Sequence, residues 1–344
     1  MRAWLHRGYT SAYLPTALWA EDAWWKATKL AIAPFVASKW RNDRRKLPLT
    51  PEHRELYDII HTDFWLHLNR FPNLLSCPEF NDRIQWLKLF DQRREQVECC
   101  DKLLVRDYVE RRVGRQYLVD LYQAGDSFSA IDFAALPNQF VLKTNHDSGT
   151  VLVVRDKSRL DLAAVERRIQ SSLSSTYGWR NGEWAYAYVR PRVFAEELME
   201  STGPAPPADY KFYCVDGRAR FVHIIYDRGF DTKDQIISPE GGDMHSRLYP
   251  TFKPGNAVVR PAQWDELVDV AQKLSAGFKC VRVDLYCAGG RVYAGEMTFW
   301  PYGGYYKGLG QAKLGKLLDF DLTTVKPFLI PQLDAELGRA GLRR

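Results

Sequence analysis

A stretch near the C-terminus limits the fold more tightly than any other part of the chain. It runs Val281-Arg282-Val283-Asp284-Leu285-Tyr286, then Gly289-Gly290, then Glu296-Met297-Thr298. Two β-type runs around a glycine pair read as a β-hairpin. Side chains alternate along a strand, so Arg282 and Asp284 share one face, and Glu296 and Thr298 share one on the returning strand. The two faces coincide only if the connecting loop has an odd number of residues. A three-residue loop, Ala288-Gly289-Gly290 with Gly290 left-handed, meets that condition. Asp284 and Glu296 then become diagonal neighbours, roughly 7–8 Å apart. Two carboxylates so placed can hold a hard cation such as Mg²⁺, which takes oxygen ligands and keeps water and phosphate in its shell. Arg282 would offset the negative charge. Taken alone, an ordinary hairpin with a solvated acidic face explains the same residues equally well.

Length and charge bound the rest. At 344 residues the chain has room for two domains, or for one with appendages. The formal net charge of +6, from 48 basic and 42 acidic residues, suits anionic partners such as nucleotides, uronic-acid polymers or lipid headgroups. No nucleic-acid-binding motif accompanies it, and nucleic acid is not expected as a partner. The six cysteines, at 77, 99, 100, 214, 280 and 287, form no C-x-x-C and read as free thiols of a reducing, cytoplasmic setting. The seven histidines lack zinc-ligand spacing. There is no signal-peptide cleavage pattern, and the longest apolar run, Leu30 to Ala37, contains Pro34 and is too short to cross a bilayer.

Helical and strand patterns alternate along the chain. The first 75 residues are rich in Trp, Tyr and Leu and carry the cluster Lys39, Arg41, Arg44, Arg45 and Lys46. Within them, Ala20 to Trp40 reads as a helix that either packs on the main domain, the favoured reading, or lies on a membrane surface. Further helices are expected over Pro51–Leu68, Phe80–Phe90, Asp101–Val113, Leu162–Leu173, Pro261–Gly277 and Gln311–Leu318. Strands are expected over Phe140–Lys143, Val151–Val154 and Val193–Leu198. A hairpin of Tyr210–Val215 and Arg218–Tyr226 turns through Asp216-Gly217, and Gly203–Pro207 reads as a loop. The order suggests an α+β fold built on antiparallel hairpins. Neither G-x-G-x-x-G nor G-x-x-x-x-G-K-[ST] occurs, so any nucleotide is held in another way.

Four further segments can carry chemistry. Asn145-His146-Asp147-Ser148-Gly149-Thr150 links two strands behind Lys143; it can aim backbone N–H groups and hydroxyls at phosphate, or be a solvated loop. Lys102 opens a helix and on its own is a surface lysine. Asp209 and Lys211 share a strand face, where they can take ribose hydroxyls and phosphate or form an exposed salt bridge. Ala195-Glu196-Glu197-Leu198-Met199 can line an adenine or be a plain core strand.

In their order, Asp101-Lys102, Phe140 to Lys143 with its loop, Ala195 to Glu197, Asp209 to Phe212, Arg282 to Asp284 and Glu296 to Thr298 resemble the ATP-grasp superfamily. Phe80-Asn81, Ile84 to Leu89, Leu136 to Lys143, Asn145 to Gly149 and Val281 to Tyr286 narrow this to a resemblance to its TupA-like (teichuronopeptide-biosynthesis) branch, over about residues 73–320. The resemblance implies an α+β ATP-grasp fold, with ATP between two subdomains. It divides the chain into a helical basic and aromatic extension (1–75), a catalytic domain (76–325, with parts 76–138, 139–208 and 209–325) and a tail (326–344). It implies that Lys102 and Lys143 touch phosphates, that His146, Asp147, Ser148, Gly149 and Thr150 close over them, and that Glu196, Glu197 and Leu198 line adenine. Asp209 would take ribose, Lys211 would stand near phosphate, and Asp284, Glu296 and Thr298 would hold Mg²⁺. Thr298 departs from the wider superfamily, where Asn is common at that place. Arg282, Lys143 and His146 would serve the chemistry.

The activity implied is carboxylate–amine ligation through an acyl phosphate. The expected acceptor is a uronic acid of a cell-surface polysaccharide or its lipid-linked precursor, and the donor an amino acid or amine. A sugar kinase, a non-catalytic nucleotide-binding assembly component and a nucleotide-sugar glycosyltransferase are the competing readings. The expected location is cytoplasmic, with peripheral membrane contact through residues 1–45. Trp300 to Tyr306 either shapes the acceptor site or forms a surface turn.

Overall fold

The computed structural model describes residues 15–199, 205–229, 231–246, 248–249, 251–255, 260–308 and 310–339. The first 14 residues of the N-terminal region, Gly203 and Pro204 of the loop read as Pro-broken, and the last five residues of the tail lie outside them. Five helices come first: α1 (Pro15–Asp43), α2 (Arg54–Leu68), α3 (Phe80–Phe90), α4 (Arg94–Cys100) and α5 (Leu104–Arg112). Strands β1 (Leu121–Gly125), β2 (Phe140–Thr144) and β3 (Val151–Val154) follow, then α6 (Leu162–Leu173) and β4 (Val193–Glu196). The second half holds β5 (Asp209–Val215), β6 (Arg218–Tyr226), β7 (Lys233–Ile237), β8 (Asp243–Ser246), β9 (Lys253–Pro254), α7 (Trp264–Ser275), β10 (Cys280–Ala288), β11 (Arg291–Thr298), α8 (Gln311–Leu317) and α9 (Ile330–Arg339).

The strands form two sheets. A four-stranded antiparallel sheet has the order β1-β4-β2-β3. Its inner face, Phe140, Leu142, Val193 and Ala195, packs on Val165 and Ile169 of α6. That helix starts where the Asp161 carboxylate accepts from the Ala164 N–H at 3.0 Å. A seven-stranded sheet has the order β11-β10-β5-β6-β7-β8, with β9 added parallel to β7. One of its faces, including Phe212, Cys214, Val281 and Val283, is covered by Leu267, Val270, Ala271 and Leu274 of α7. The alternation expected for an α+β domain is thus used twice, each sheet burying one face under a helix and turning the other toward the site.

The N-terminal helices belong to the main body. Ile32, Val36 and Trp40 lie one turn apart along α1 and join the large core with Leu56, Tyr57 and Ile60 of α2. The Tyr57 hydroxyl donates to Asp43 at 2.8 Å. The packing reading of this helix is therefore met by one of its faces. At the other end, Ile330 and Leu333 of α9 are buried in the same core. All six cysteines are free thiols.

The hairpin departs from the expected register. Ala288 pairs with Arg291, so the loop is the two residues Gly289 and Gly290, both with positive φ (55° and 75°), as the tightest hairpin turns require. An even loop alone would set Gly295 opposite Asp284. A β-bulge between the Asp284–Glu296 and Leu285–Ala294 pairs inserts one extra residue, and Glu296 comes directly opposite Asp284 rather than diagonal to it. Parity is restored by the bulge, not by the loop. The helix expected over Asp101–Val113 also starts later: the Asp101 carboxylate accepts from the N–H groups of Leu103 and Leu104 (2.8 and 3.3 Å) and caps α5. The strand expected over Val193–Leu198 ends at Glu196.

Helix α8 seats directly on the chain before α3. A Cβ added at Gly315 would fall 2.6 Å from the Pro78 carbonyl oxygen and 2.9 Å from the Glu79 carbonyl carbon. Gly315→Ala should therefore cost about 1–3 kcal/mol through overpacking, although alanine is the better helix former by about 1 kcal/mol. Urea unfolding checks this; a gain in stability would show that α8 does not lie so close.

Candidate active site

A cleft of about 230 Å³ lies where the open face of the small sheet meets the edge of the large one. Helix α5 supplies one wall. Lys102, Val105, Arg106 and Val109 recur at helical spacing there, so the capped start of α5 turns two cations and two valines to the same side. Lys143, Val151, Phe194 and Glu196 come from the small sheet. Tyr286, Gly295, Glu296 and Met297 come from the bulged hairpin, and Val119 and Met199 from the connecting chain. Apolar walls beside three cations and two carboxylates suit a flat apolar group with an anionic tail.

The cations in the cleft are already paired. Lys143 bonds Glu196, and Arg106 stands 3.7 Å from the other Glu196 oxygen. Lys102 donates from Nζ to the carbonyl of Thr144 at 3.3 Å and to that of Asp147, while its backbone N–H bonds the Asn145 carbonyl at 3.1 Å. Burial pushes the Lys102 ammonium down; Glu296 and Asp147 pull the other way without reversing it.

Next to Glu296 runs a buried chain of charges. Arg282 grips Asp284 with two parallel bonds, Nε to Oδ1 at 2.6 Å and Nη2 to Oδ2 at 2.7 Å. The same Nη2 donates to the Thr298 hydroxyl at 3.0 Å, and that hydroxyl donates to Glu296 Oε1 at 3.0 Å. Lys211, opposite Asp284 on β5, bonds Asp284 and lies 3.3 Å from Asp209; Arg228 closes the row on Asp209. Burial works against the Arg282 guanidinium, but Asp284, Tyr213 and Glu296 together outweigh it and hold the pKa well above the ordinary arginine value. Burial raises Asp209, yet Lys211 and Arg228 leave its net shift downward. The Asp209 carboxylate in turn pushes up the phenol of Tyr286, which lines the cleft.

The loop between β2 and β3 is held by its own polar side chains. The Asp147 carboxylate accepts from the hydroxyls of Thr144 (2.7 Å), Thr150 and Ser172 (2.8 Å). Burial raises this carboxyl, but the three donors outweigh it and the net shift is downward. Ser148 and Gly149 are the exposed tip, and Gly149 has φ +105° with open space around it. His146 is buried with Nε2 at 3.1 Å from the Ser172 carbonyl, and burial lowers its pKa.

Of the residues singled out from sequence, Lys102, Lys143, Glu196 and Glu296 line the cleft. Asp209, Lys211, Arg282, Asp284 and Thr298 form the charge chain that reaches it through Glu296. Asp209 and Lys211 are buried in the sheet interior, not an exposed edge. The loop from His146 to Thr150 lies next to Lys102, and the Glu197 carboxylate accepts from the Asp120 N–H at 3.2 Å. Leu198 is half-buried, and Met199 joins Glu196 in lining the cleft. Arg106, Val119, Tyr286 and Arg228 escaped sequence reasoning. Arg106 was findable, four residues after Lys102; Arg228 sits in a loop after β6 with no pattern to mark it.

The donor set near Glu296 is all oxygen: two carboxylates and the Thr298 hydroxyl. That is the ligand chemistry of a hard divalent cation. Among the described residues no group of three or more His, Cys, Asp or Glu side chains converges. The fit is to an ion that brings phosphate and water with it, not to a closed protein cage. Both Asp284 oxygens are bonded by cations, so Glu296 is the carboxylate turned to the cleft.

A family model described as TupA-like ATPgrasp matches residues 82–318. Similar solved structures include the ATP-grasp ligase PsnB complexed with minimal precursor, at 13% identity and TM-score 0.38, covering 65% of this chain and 62% of that one. The D-alanine–D-alanine ligase from Bacillus anthracis complexed with ATP shows 16% identity and TM-score 0.34, covering 64% and 63%. The D-alanine–D-alanine ligase from Helicobacter pylori shows 14% identity and TM-score 0.39, covering 72% and 70%. This chain thus spans less than two thirds of the length of the first two. No curated protein matches it.

Asp147→Ala should cost about 1–3 kcal/mol at neutral pH by leaving buried hydroxyls without their acceptor. A carboxyl held low contributes its stability above the unfolded Asp value of about 4 and loses it as the pH falls below. The difference in unfolding free energy between wild type and variant, followed by urea titration, should narrow in acid. A difference that widens in acid would contradict this role for Asp147.

Proposed function

The chain belongs to the TupA-like ATP-grasp family and has its α+β ATP-grasp fold, and on that premise we propose that it is an ATP-dependent carboxylate–amine ligase. In this reading it joins an amino acid or amine to a uronic-acid carboxylate of a bacterial surface polysaccharide, such as a capsule or O-antigen, or of its lipid-linked precursor. The observation that carries the reading is the meeting of Lys102, Arg106 and Lys143 with Glu296 at one cleft, backed by Arg282 on Asp284.

The chemistry follows from charge. A carboxylate oxygen of the acceptor attacks the terminal phosphorus of ATP, the bond to ADP breaks, and an acyl phosphate forms. The amine nitrogen then attacks the acyl carbon, phosphate leaves, and the nitrogen gives up its proton. Both steps crowd negative charge into a space shielded from water, and preorganised cations lower their barriers. Lys102 and Lys143 would neutralise phosphate oxygens, Lys143 exchanging Glu196 for ATP. Arg282 would stand at the transferred phosphoryl. The apolar walls with Glu196 to Met199 would take the adenine, and Asp209 the ribose. Glu296 and Thr298 would hold Mg²⁺, with Asp284 joining them on giving up one of its cations, and the ion when bound offsets phosphate charge. Trp300 to Tyr306, with most of their rings buried, would support the acceptor side from within the protein and not line it. A cytoplasmic enzyme in peripheral contact with the inner membrane face would meet a lipid-linked acceptor there.

The test is phosphate release from Mg-ATP across a matrix of uronic acids and amino acids. Release should need both an acid and an amine; phosphate retained on the sugar would instead make the protein a kinase, and nucleotide binding without turnover a non-catalytic component. Glu296→Gln should lower turnover by about a hundredfold or more with unfolding unchanged, and wild-type rates would refute the assignment. Lys143→Ala should raise KM for ATP and lower kcat; unchanged kinetics would remove it from the site.

A further inference from the structure

One face of α1 takes no part in the core or in the site. Ile32, Val36 and Trp40 are buried against α2, yet Trp24, Leu30 and Phe35 are 62%, 77% and 66% exposed. On a 3.6-residue repeat, Trp24, Ala27, Ala31 and Phe35 fall on one outward stripe, with Leu30 at its margin. Large apolar side chains grouped in the open mark a contact surface more often than chance. The helix is therefore two-sided: one apolar face serves the protein, and a second faces away from it.

Charge says what the second face meets. Residues 24–46 hold seven Lys or Arg and one acid, Asp43. That segment alone accounts for the formal +6 of the whole chain. Asp43 is buried and bonded to Tyr57 and Lys39, so it does not offset the surface charge. Arg41, Arg44, Arg45 and Lys46 are exposed and follow the apolar stripe at its C-terminal end. Cations beside a continuous apolar stripe match a surface that is anionic at its headgroups and greasy beneath. A nucleic acid would call for cations spread along the contact instead. No helix among the described residues is long and apolar enough to cross a membrane, so such a contact lies in the plane of the interface.

We propose that the outward face of α1 docks this protein on an anionic lipid bilayer, Trp24, Leu30 and Phe35 entering the headgroup boundary and Arg41 to Lys46 lying on lipid phosphates. The inference is independent of the ligase reading, since it can be measured without nucleotide.

The experiment is co-sedimentation of the full chain with vesicles of phosphatidylcholine plus phosphatidylglycerol and with phosphatidylcholine alone. Binding should need the anionic lipid and weaken as salt rises. Arg41→Glu, Arg45→Glu and Lys46→Glu together should lower the partition coefficient roughly a hundredfold or more, at about a factor of five per cation removed. Leu30→Glu with Phe35→Glu should also abolish binding. Both variants should keep the wild-type melting temperature, because these side chains are exposed. Failure to bind anionic vesicles, or equal binding by the charge-reversed protein, would overturn the proposal. So would a dimer, seen by light scattering, that dissociates in the Leu30→Glu, Phe35→Glu variant, or retention on RNA without retention on vesicles.

Discussion

Asp284 is buried between two cations, and the arrangement of the site depends on how that carboxylate is held. Arg282 takes both of its oxygens from the same strand, and Lys211 reaches it from the neighbouring strand β5. Charges out of water are costly unless paired, and breaking such a pair by removing one partner costs about 3–5 kcal/mol. The cluster therefore ties β5 to β10 in the register that sets Lys211 opposite Asp284, and the bulge in β11 sets Glu296 opposite Asp284. Because Thr298 links Arg282 to Glu296, the buried row and the cleft form one hydrogen-bonded system. In the proposed reaction this row is the preorganised charge behind Glu296.

The N-terminal helices position the segment C-terminal to the hairpin. All eleven residues of α3 are buried, and Asn81, Gln85 and Lys88 reach the chain after β11, while Asp82 holds Arg70 and the Asn73 N–H before the helix. Asn81 exchanges two bonds with the backbone of Tyr306 at 2.8 and 2.9 Å, Gln85 donates to the Gly304 carbonyl at 2.9 Å, and Lys88 to the Gly303 carbonyl at 2.7 Å. Lys88 also donates to the Asn181 carbonyl at 2.6 Å. Burial drives the Lys88 ammonium down and the nearby Glu183 carboxyl up. Tyr302, Gly303 and Gly304 are all left-handed (φ 59°, 61° and 70°), a backbone that needs such bonding to persist. The aromatic run is thus a held loop, neither a surface turn nor a set of open rings: Trp300, Tyr305 and Tyr306 are buried in the protein.

Much of this architecture is legible in the amino-acid sequence. The strands around Asp209 and Asp284 alternate, with one sheet face under α7 and Asp209, Lys211, Arg282 and Asp284 on the other. Helices α2, α3, α6 and α7 carry start signals or a strong apolar period. The α+β fold and its family are readable from the order of short motifs. The elements that escape lack such signals. Strand β1 is largely exposed and pairs with β4, distant in sequence, while β8 is polar and half-exposed although its partner β7 directly precedes it. Parity demands one extra residue in the hairpin, but a bulge and a longer loop supply it alike, and only the backbone distinguishes them. The charge row is visible as single residues, whereas its connectivity depends on strand neighbours, as with Lys211 opposite Asp284. Arg228 and Tyr286 enter the site only through that tertiary pairing.

The measurement that bears most directly on this account follows heavy oxygen placed in the acceptor carboxylate. With Mg-ATP, a uronic acid so labelled and its amine partner, activation through an acyl phosphate predicts that label leaves the acid and appears in released phosphate in step with amide formation. Amide formed with unlabelled phosphate, or label kept entirely on a phosphorylated sugar, would contradict it.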